Sequence, residues 1–125
     1  MILIDRLDHL VLTVRDIDRT IAFYASVLGM EVIEFAGGRK ALKFGQQKIN
    51  LHPAGENWET RNHPAVGSAD ICLISSSSLE QICECLSRYK IRILEGPVIK
   101  SGALGPITSV YFNDPDENLV EVSVY

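Results

Sequence analysis

One order of periodicities occurs twice in this chain, and it limits the possible folds more than any other feature. Each half opens on the alternation of a strand, continues at helical spacing, and then alternates three more times. Asp8-His9-Leu10-Val11-Leu12 opens the first half and Ala69-Asp70-Ile71-Cys72-Leu73 the second, an offset of 61 positions. The same offset matches Leu12 with Leu73, Ile21 with Ile82, and His9 with Asp70. Strand, helix and three strands, written twice, predict an α+β fold of two βαβββ modules forming a curved mixed sheet. Module one is expected over 5–54, a connector over 55–67 and module two over 68–125, within a single domain.

Local signals support this order. Residues 7–14 alternate, with Leu10, Leu12 and Val14 on one face and His9, Val11 and Thr13 on the other. Asp16 or Asp18 caps the helix that carries Ile21, Tyr24 and Leu28, and Gly29 suits its left-handed end. Strands are expected over 31–36, 39–44 and 47–53. In the second half, Ser78 and Gln81 form a capping box ahead of Leu79, Ile82 and Leu86. Strands near 92–99, 107–113 and 118–124 finish the chain; residues 101–106 read as an ordinary loop, and as a lid in the functional alternative.

Bulk properties exclude several classes. A length of 125 residues with 46% apolar and 22% charged residues fits one globular domain. A net charge of −4 leaves no basic surplus for phosphates, which argues against nucleic acid or an anionic membrane as partner. No apolar run approaches the ~20 residues that span a bilayer. The opening Met1-Ile2-Leu3-Ile4 is cut short by Asp5 and Arg6, so no secretory leader is expected. Cys72, Cys83 and Cys85 are odd in number and lack zinc-type spacing, which reads as reduced core thiols and a cytoplasmic location.

Parity then gathers the polar strand residues. Val120, Val122 and Val124 leave Glu121 on the opposite face; Ile49 and Leu51 leave Asn50 and His52; Ile71 and Leu73 leave Asp70 and Cys72. Apolar faces belong under the helices, so His9, Asn50, His52, Asp70 and Glu121 are expected on the helix-free side. Tyr111 and Lys43 fall there by the same count. One strand histidine is more often a surface group than a ligand. Equivalent placement in two repeated units points instead to a divalent-cation site. Trp58, Arg61 and His63 lie on the connector, where an exposed loop is the ordinary reading and a pocket rim the functional one.

The sequence also resembles the vicinal oxygen chelate superfamily of glyoxalase I, fosfomycin-resistance proteins, bleomycin-binding proteins and extradiol dioxygenases. The resemblance rests on residues 8–14, on Ile21-Ala22-Phe23-Tyr24 through Val27-Leu28-Gly29-Met30, and on Tyr111-Phe112-Asn113-Asp114-Pro115-Asp116 leading to Glu121. Residues 39–42, 50–52, 67–70 and 102–107 are similar to the branch of glyoxalase-domain-containing protein 5 and bacterial virulence-protein homologues. The resemblance implies a cup around one divalent ion (zinc, nickel, cobalt, manganese or magnesium) held by His9, Asp70 and Glu121. Asp70 departs from the His or Gln of many relatives, and either Asn50 or His52 supplies a fourth ligand. It further implies a small-molecule substrate chelated through vicinal oxygens, with Glu121 or Asp70 as proton shuttle. A homodimer with the site at or near its interface is expected. A drug- or metabolite-binding protein without turnover is the alternative, and a ring-cleaving dioxygenase a third.

Overall fold

Asp16 starts the first helix and Ser78 the second, each with its own side chain. The computed structural model describes residues 1–56 and 61–125. The chain divides into two compact units, Met1–Val66 and Gly67–Tyr125. No helix among the described residues is long and apolar enough to cross a membrane.

In the first unit the order is β1 (His9–Val14), α1 (Ile17–Leu28), β2 (Glu31–Phe35), β3 (Arg39–Phe44) and β4 (Gln47–Pro53). The sheet runs β1-β4-β3-β2, with β1 parallel to β4 and the other pairs antiparallel. Asp16 Oδ1 accepts from the Arg19 amide at 3.0 Å, satisfying one of the helix's orphan donors. Gly29 ends α1 at φ 66°, a conformation that a side chain disfavours. α1 packs on β2, β3 and β4. Tyr24, Leu42 and Ile49 are fully buried, and Leu12, Val14 and Leu51 nearly so. Each such side chain contributes about 1.5–3 kcal/mol on leaving water.

The second unit repeats the plan: β5 (Asp70–Ile74), α2 (Leu79–Arg88), β6 (Glu95–Gly102), β7 (Gly105–Asn113) and β8 (Leu119–Val124), in the order β5-β8-β7-β6. The expected capping box forms, with Ser78 and Gln81 each bonding the other's backbone amide. Ile82 and Leu86 of α2 and Val110, Phe112, Val120 and Val122 of the sheet are buried, and α2 packs on β8.

Three expectations need correction. The strand expected at 92–99 runs Glu95–Gly102, because Lys90 turns left-handed at the helix end (φ 56°) and pairing with β7 begins only there. The loop expected over 101–106 is a tight hairpin in which Ser101 pairs with Pro106 and Gly102 with Gly105. Its small residues serve close approach: a Cβ on Gly102 would lie 2.7 Å from the Tyr125 hydroxyl oxygen. Cys72 is exposed and Cys83 and Cys85 are intermediate, so the three free thiols are not core residues.

The turn after β7 fixes where β8 begins. Asp114 Oδ1 accepts from the amides of Asp116 and Asn118, and its Oδ2 from Asn118 Nδ2, all at 2.9 Å. Asn118 Oδ1 in turn accepts from the Ala69 amide at 2.9 Å, just before Asp70. Gly67 approaches this turn so closely that a Cβ would sit 2.7 Å from the Asp116 carbonyl oxygen. Asn118→Ala removes the two bonds of its carboxamide, to Asp114 Oδ2 and from the Ala69 amide, and strands buried polar groups. It should cost about 2–4 kcal/mol in urea unfolding. A loss below about 1 kcal/mol would contradict this role for the turn.

Candidate functional site

Strand register decides which side chains share a face. In the first unit His9 pairs with Lys48, Val11 with Asn50 and Thr13 with His52 across β1 and β4. Across β3 and β4, Ala41 pairs with Asn50 and Lys43 with Lys48. Paired residues point to the same side, so His9, Asn50, His52 and Lys43 lie opposite Leu12, Leu42, Ile49 and Leu51.

His9 is exposed, and its Nδ1 lies 2.7 Å from Asp8 Oδ1. That hydrogen bond first, then the charges of His9, Lys48 and Arg6, hold the Asp8 carboxyl below its ordinary value against desolvation. An ionised carboxylate only accepts, so Nδ1 carries the hydrogen and Nε2 of a neutral ring offers a lone pair. Burial first, and the Arg39 charge second, hold the His52 imidazole below its ordinary 6.5, with Glu56 opposing. Its neutral form is therefore favoured, which is the form that binds metal. Asn50 is 4% exposed, and its Oδ1 has no hydrogen-bond partner among the described residues.

In the second unit Cys72 and Tyr111 both pair with Glu121, and Asp70 with Leu119. Asp70, Cys72, Tyr111 and Glu121 thus share one face with Ser109 and Ser123, which pair with each other. Ser109 Oγ donates to Glu121 Oε1 at 2.6 Å and lies 2.7 Å from Ser123 Oγ; both serines are fully buried. Ser123 Oγ approaches the same carboxylate oxygen at 3.4 Å and Cys72 Sγ at 3.4 Å. Burial pushes the Glu121 carboxyl up, but hydrogen bonds from Ser109, Tyr111, Cys72 and Ser123 outweigh it and leave the group below 4.5. Burial, then the bond to and charge of Glu121, push the Tyr111 hydroxyl up to about 12. The Cys72 thiol is likewise raised above 9.0, by burial first; Ser123 opposes the shift and the Glu121 charge adds to it. That thiol is a poor nucleophile.

His9, His52, Asn50 and Lys43 belong to the first unit, and Asp70, Tyr111 and Glu121 to the second. Among the described residues no group of three or more His, Cys, Asp or Glu is arranged to hold a metal ion. Arg61 and His63 are exposed, and Trp58 lies outside the described residues. Sequence reasoning missed Asp8 as the partner of His9, and Ser109 and Ser123 as the partners of Glu121. Parity held the signal for the serines, since Ser109 alternates with the buried Val110 and shares its side with Tyr111.

The family model for the Glyoxalase/Bleomycin resistance protein/Dioxygenase superfamily matches residues 6–122. The chain belongs to this superfamily. Within it, the chain is 49% identical over 124 residues to virulence protein STM3117 of Salmonella typhimurium, covering 98% of this chain and 86% of that protein. It is 49% identical over 120 residues to the glyoxalase domain-containing protein RDO1 of Mycosarcoma maydis, covering 95% and 68%. The structure of an integron cassette protein from the mobile metagenome of V. cholerae superposes with a TM-score of 0.96 at 50% identity, covering 100% of this chain and 98% of that one.

The hydrogen-bonded Glu121 has a pH signature. A carboxylate whose folded pKa is lowered stabilises the fold above its unfolded value, near 4.5, and loses that contribution as pH falls through the folded value. Wild type should therefore exceed Glu121→Gln in urea stability at neutral pH, and the gap should close well below pH 4.5. A gap that widens on acidification would contradict an ionised, bonded Glu121.

Proposed function

We propose that the chain is a metal-dependent enzyme of glyoxalase or lyase type, acting on a small molecule that presents vicinal oxygens. The observation that carries the reading is the ionised Glu121, held by two fully buried serines on the face it shares with Asp70. Evolution seldom retains an ionised carboxylate in such surroundings without a use for it. The superfamily match supports the reaction class.

The ligand set in this reading is His9, His52, Asp70 and Glu121. Two imidazoles and two carboxylates suit zinc, nickel, cobalt, manganese or magnesium. Asp8 supports His9 as outer carboxylates support metal-binding histidines, leaving Nε2 as the ligating atom. The ion, when bound, supplies Lewis-acid polarisation of substrate oxygens. Glu121 and Asp70 accept and return the substrate proton. Tyr111, Asn50 and Lys43 orient the substrate.

β1 and β5 are edge strands of their sheets, and they leave Val11 44% and Ile74 55% exposed on the ligand-bearing faces. A second copy covers these faces in this reading, giving a homodimer that shares its ligands between chains. The same exposed apolar residues favour one rival, a cup that sequesters a drug or metabolite without turnover.

Chelator-treated protein titrated calorimetrically with manganese, cobalt, nickel and zinc should bind about one ion per chain. His9→Ala and Glu121→Gln should each weaken binding by about tenfold or more. Absence of divalent-ion binding, or indifference to both substitutions, would remove the enzymatic reading. Unchanged affinity for an organic ligand in both variants, with no metal retained, would establish the sequestering one. Light scattering should give a dimer at micromolar concentration; a monodisperse monomer would remove the shared-ligand arrangement.

A further inference from the structure

Three cations stand together on the helix-free face of the first unit with no carboxylate ion pair among the described residues. Lys43 and Lys48 are paired directly across β3 and β4, so two ammonium groups share one side of the sheet. Like charges so placed repel each other and are disfavoured unless something compensates. Arg39, on the same face of β3, has its guanidinium carbon 4.6 Å from the centre of the Phe35 ring, and Lys48 Nζ lies 3.8 Å from the same centre. Arg39, Lys43 and Lys48 form no ion pair among the described residues. Asp8 feels the charge of Lys48 but closes on His9, and Glu31, opposite Lys43, makes no ion pair with it.

Two other strand lysines are neutralised. Lys40 pairs with Glu34 at 2.7 Å and Lys100 with Glu95 at 3.1 Å. With 16 acidic against 12 basic residues, carboxylates are in surplus. Three cations gathered on one face with no ion pair among the described residues form a local positive patch that suits an external anion. The floor between them supplies a second observation. Ala41 and Asn50, paired with each other, are buried beside the cations, and Asn50 Oδ1 has no donor among the described residues. A hydroxyl next to an anionic group would satisfy it.

We infer that this face is a subsite for the anionic end of a small hydroxylated ligand, a carboxylate or a phosphate-like oxyanion, gripped by Arg39, Lys43 and Lys48 with Asn50 accepting from the neighbouring hydroxyl. The inference rests on the reading that this face lines the substrate pocket, and it names the class of substrate. Arg39 supplies a planar fork and the lysines two point charges, a combination suited to a multi-oxygen anion.

The test uses the chelator-treated full chain at low ionic strength, titrated separately with methylphosphonate and with glycolate while backbone amide shifts are followed. Saturable shifts confined to β3 and β4 are expected, weakening several-fold as salt is raised. The Lys43→Gln/Lys48→Gln double variant should bind about tenfold more weakly or worse. Lys40→Gln, on the other face, should bind as wild type does. Preference for methylphosphonate assigns a phosphate-like group, and preference for glycolate a carboxylate. No saturable shift with either anion, or equal binding by the double variant, would overturn the subsite. Metal is absent throughout, so this result stands or falls separately from the metal reading.

Discussion

Everything in this fold depends on a sheet face that a helix must cover. α1 lies over β2, β3 and β4, and α2 over β8, and the side chains beneath them are the apolar alternates of each strand. Because the side-chain period of a strand is two, covering one face hands the other to whatever residues intervene. A slip of one residue would drive Asn50 and Glu121 beneath the helices and turn Ile49 and Val120 away from them, at several kcal/mol for each pair exchanged. Packing thereby holds the polar register in place.

The two units use that freedom differently. Their sheets share one strand order, yet the free face of the first carries Lys43, Lys48 and Arg39 with two histidines beside Glu31, and that of the second carries Asp70, Glu121 and Glu95 beside Lys100. Keeping Glu121 ionised in partial burial requires donors, and Ser109 and Ser123 supply them from strand positions that packing leaves open. The same donors fix the carboxylate in one place, as an acid–base or ligand group requires. One strand plan thus carries different side chains at its alternate positions in the two units.

Much of this was legible in the residues. The repeat offset, the Ser78–Gln81 box, the Gly29 terminus and the strands 39–44 and 47–53 all follow from local chemistry, and the strands appear with those bounds. Parity alone placed His9 with His52 and Asp70 with Glu121, each pair on one face of its own sheet. It did not foresee β6, where a bulge between Glu95 and Val98 breaks the alternation. The hairpin at 101–106 reads as a loop in the sequence because its glycines serve close approach and turns alike. Contacts such as Asp8 to His9 depend on side-chain rotamers, which periodicity does not carry.

The most direct test of the central claim, that His9, His52, Asp70 and Glu121 serve one metal ion, is a crystal structure of metal-loaded protein with data collected across the metal's absorption edge. One anomalous peak per chain is expected, within about 2.0–2.3 Å of His9 Nε2 and of a Glu121 oxygen, with ligands from a two-fold mate counted. A peak held by other residues, or a loaded crystal in which Glu121 stays bonded only to Ser109 and Ser123 with no ion beside it, would contradict the account.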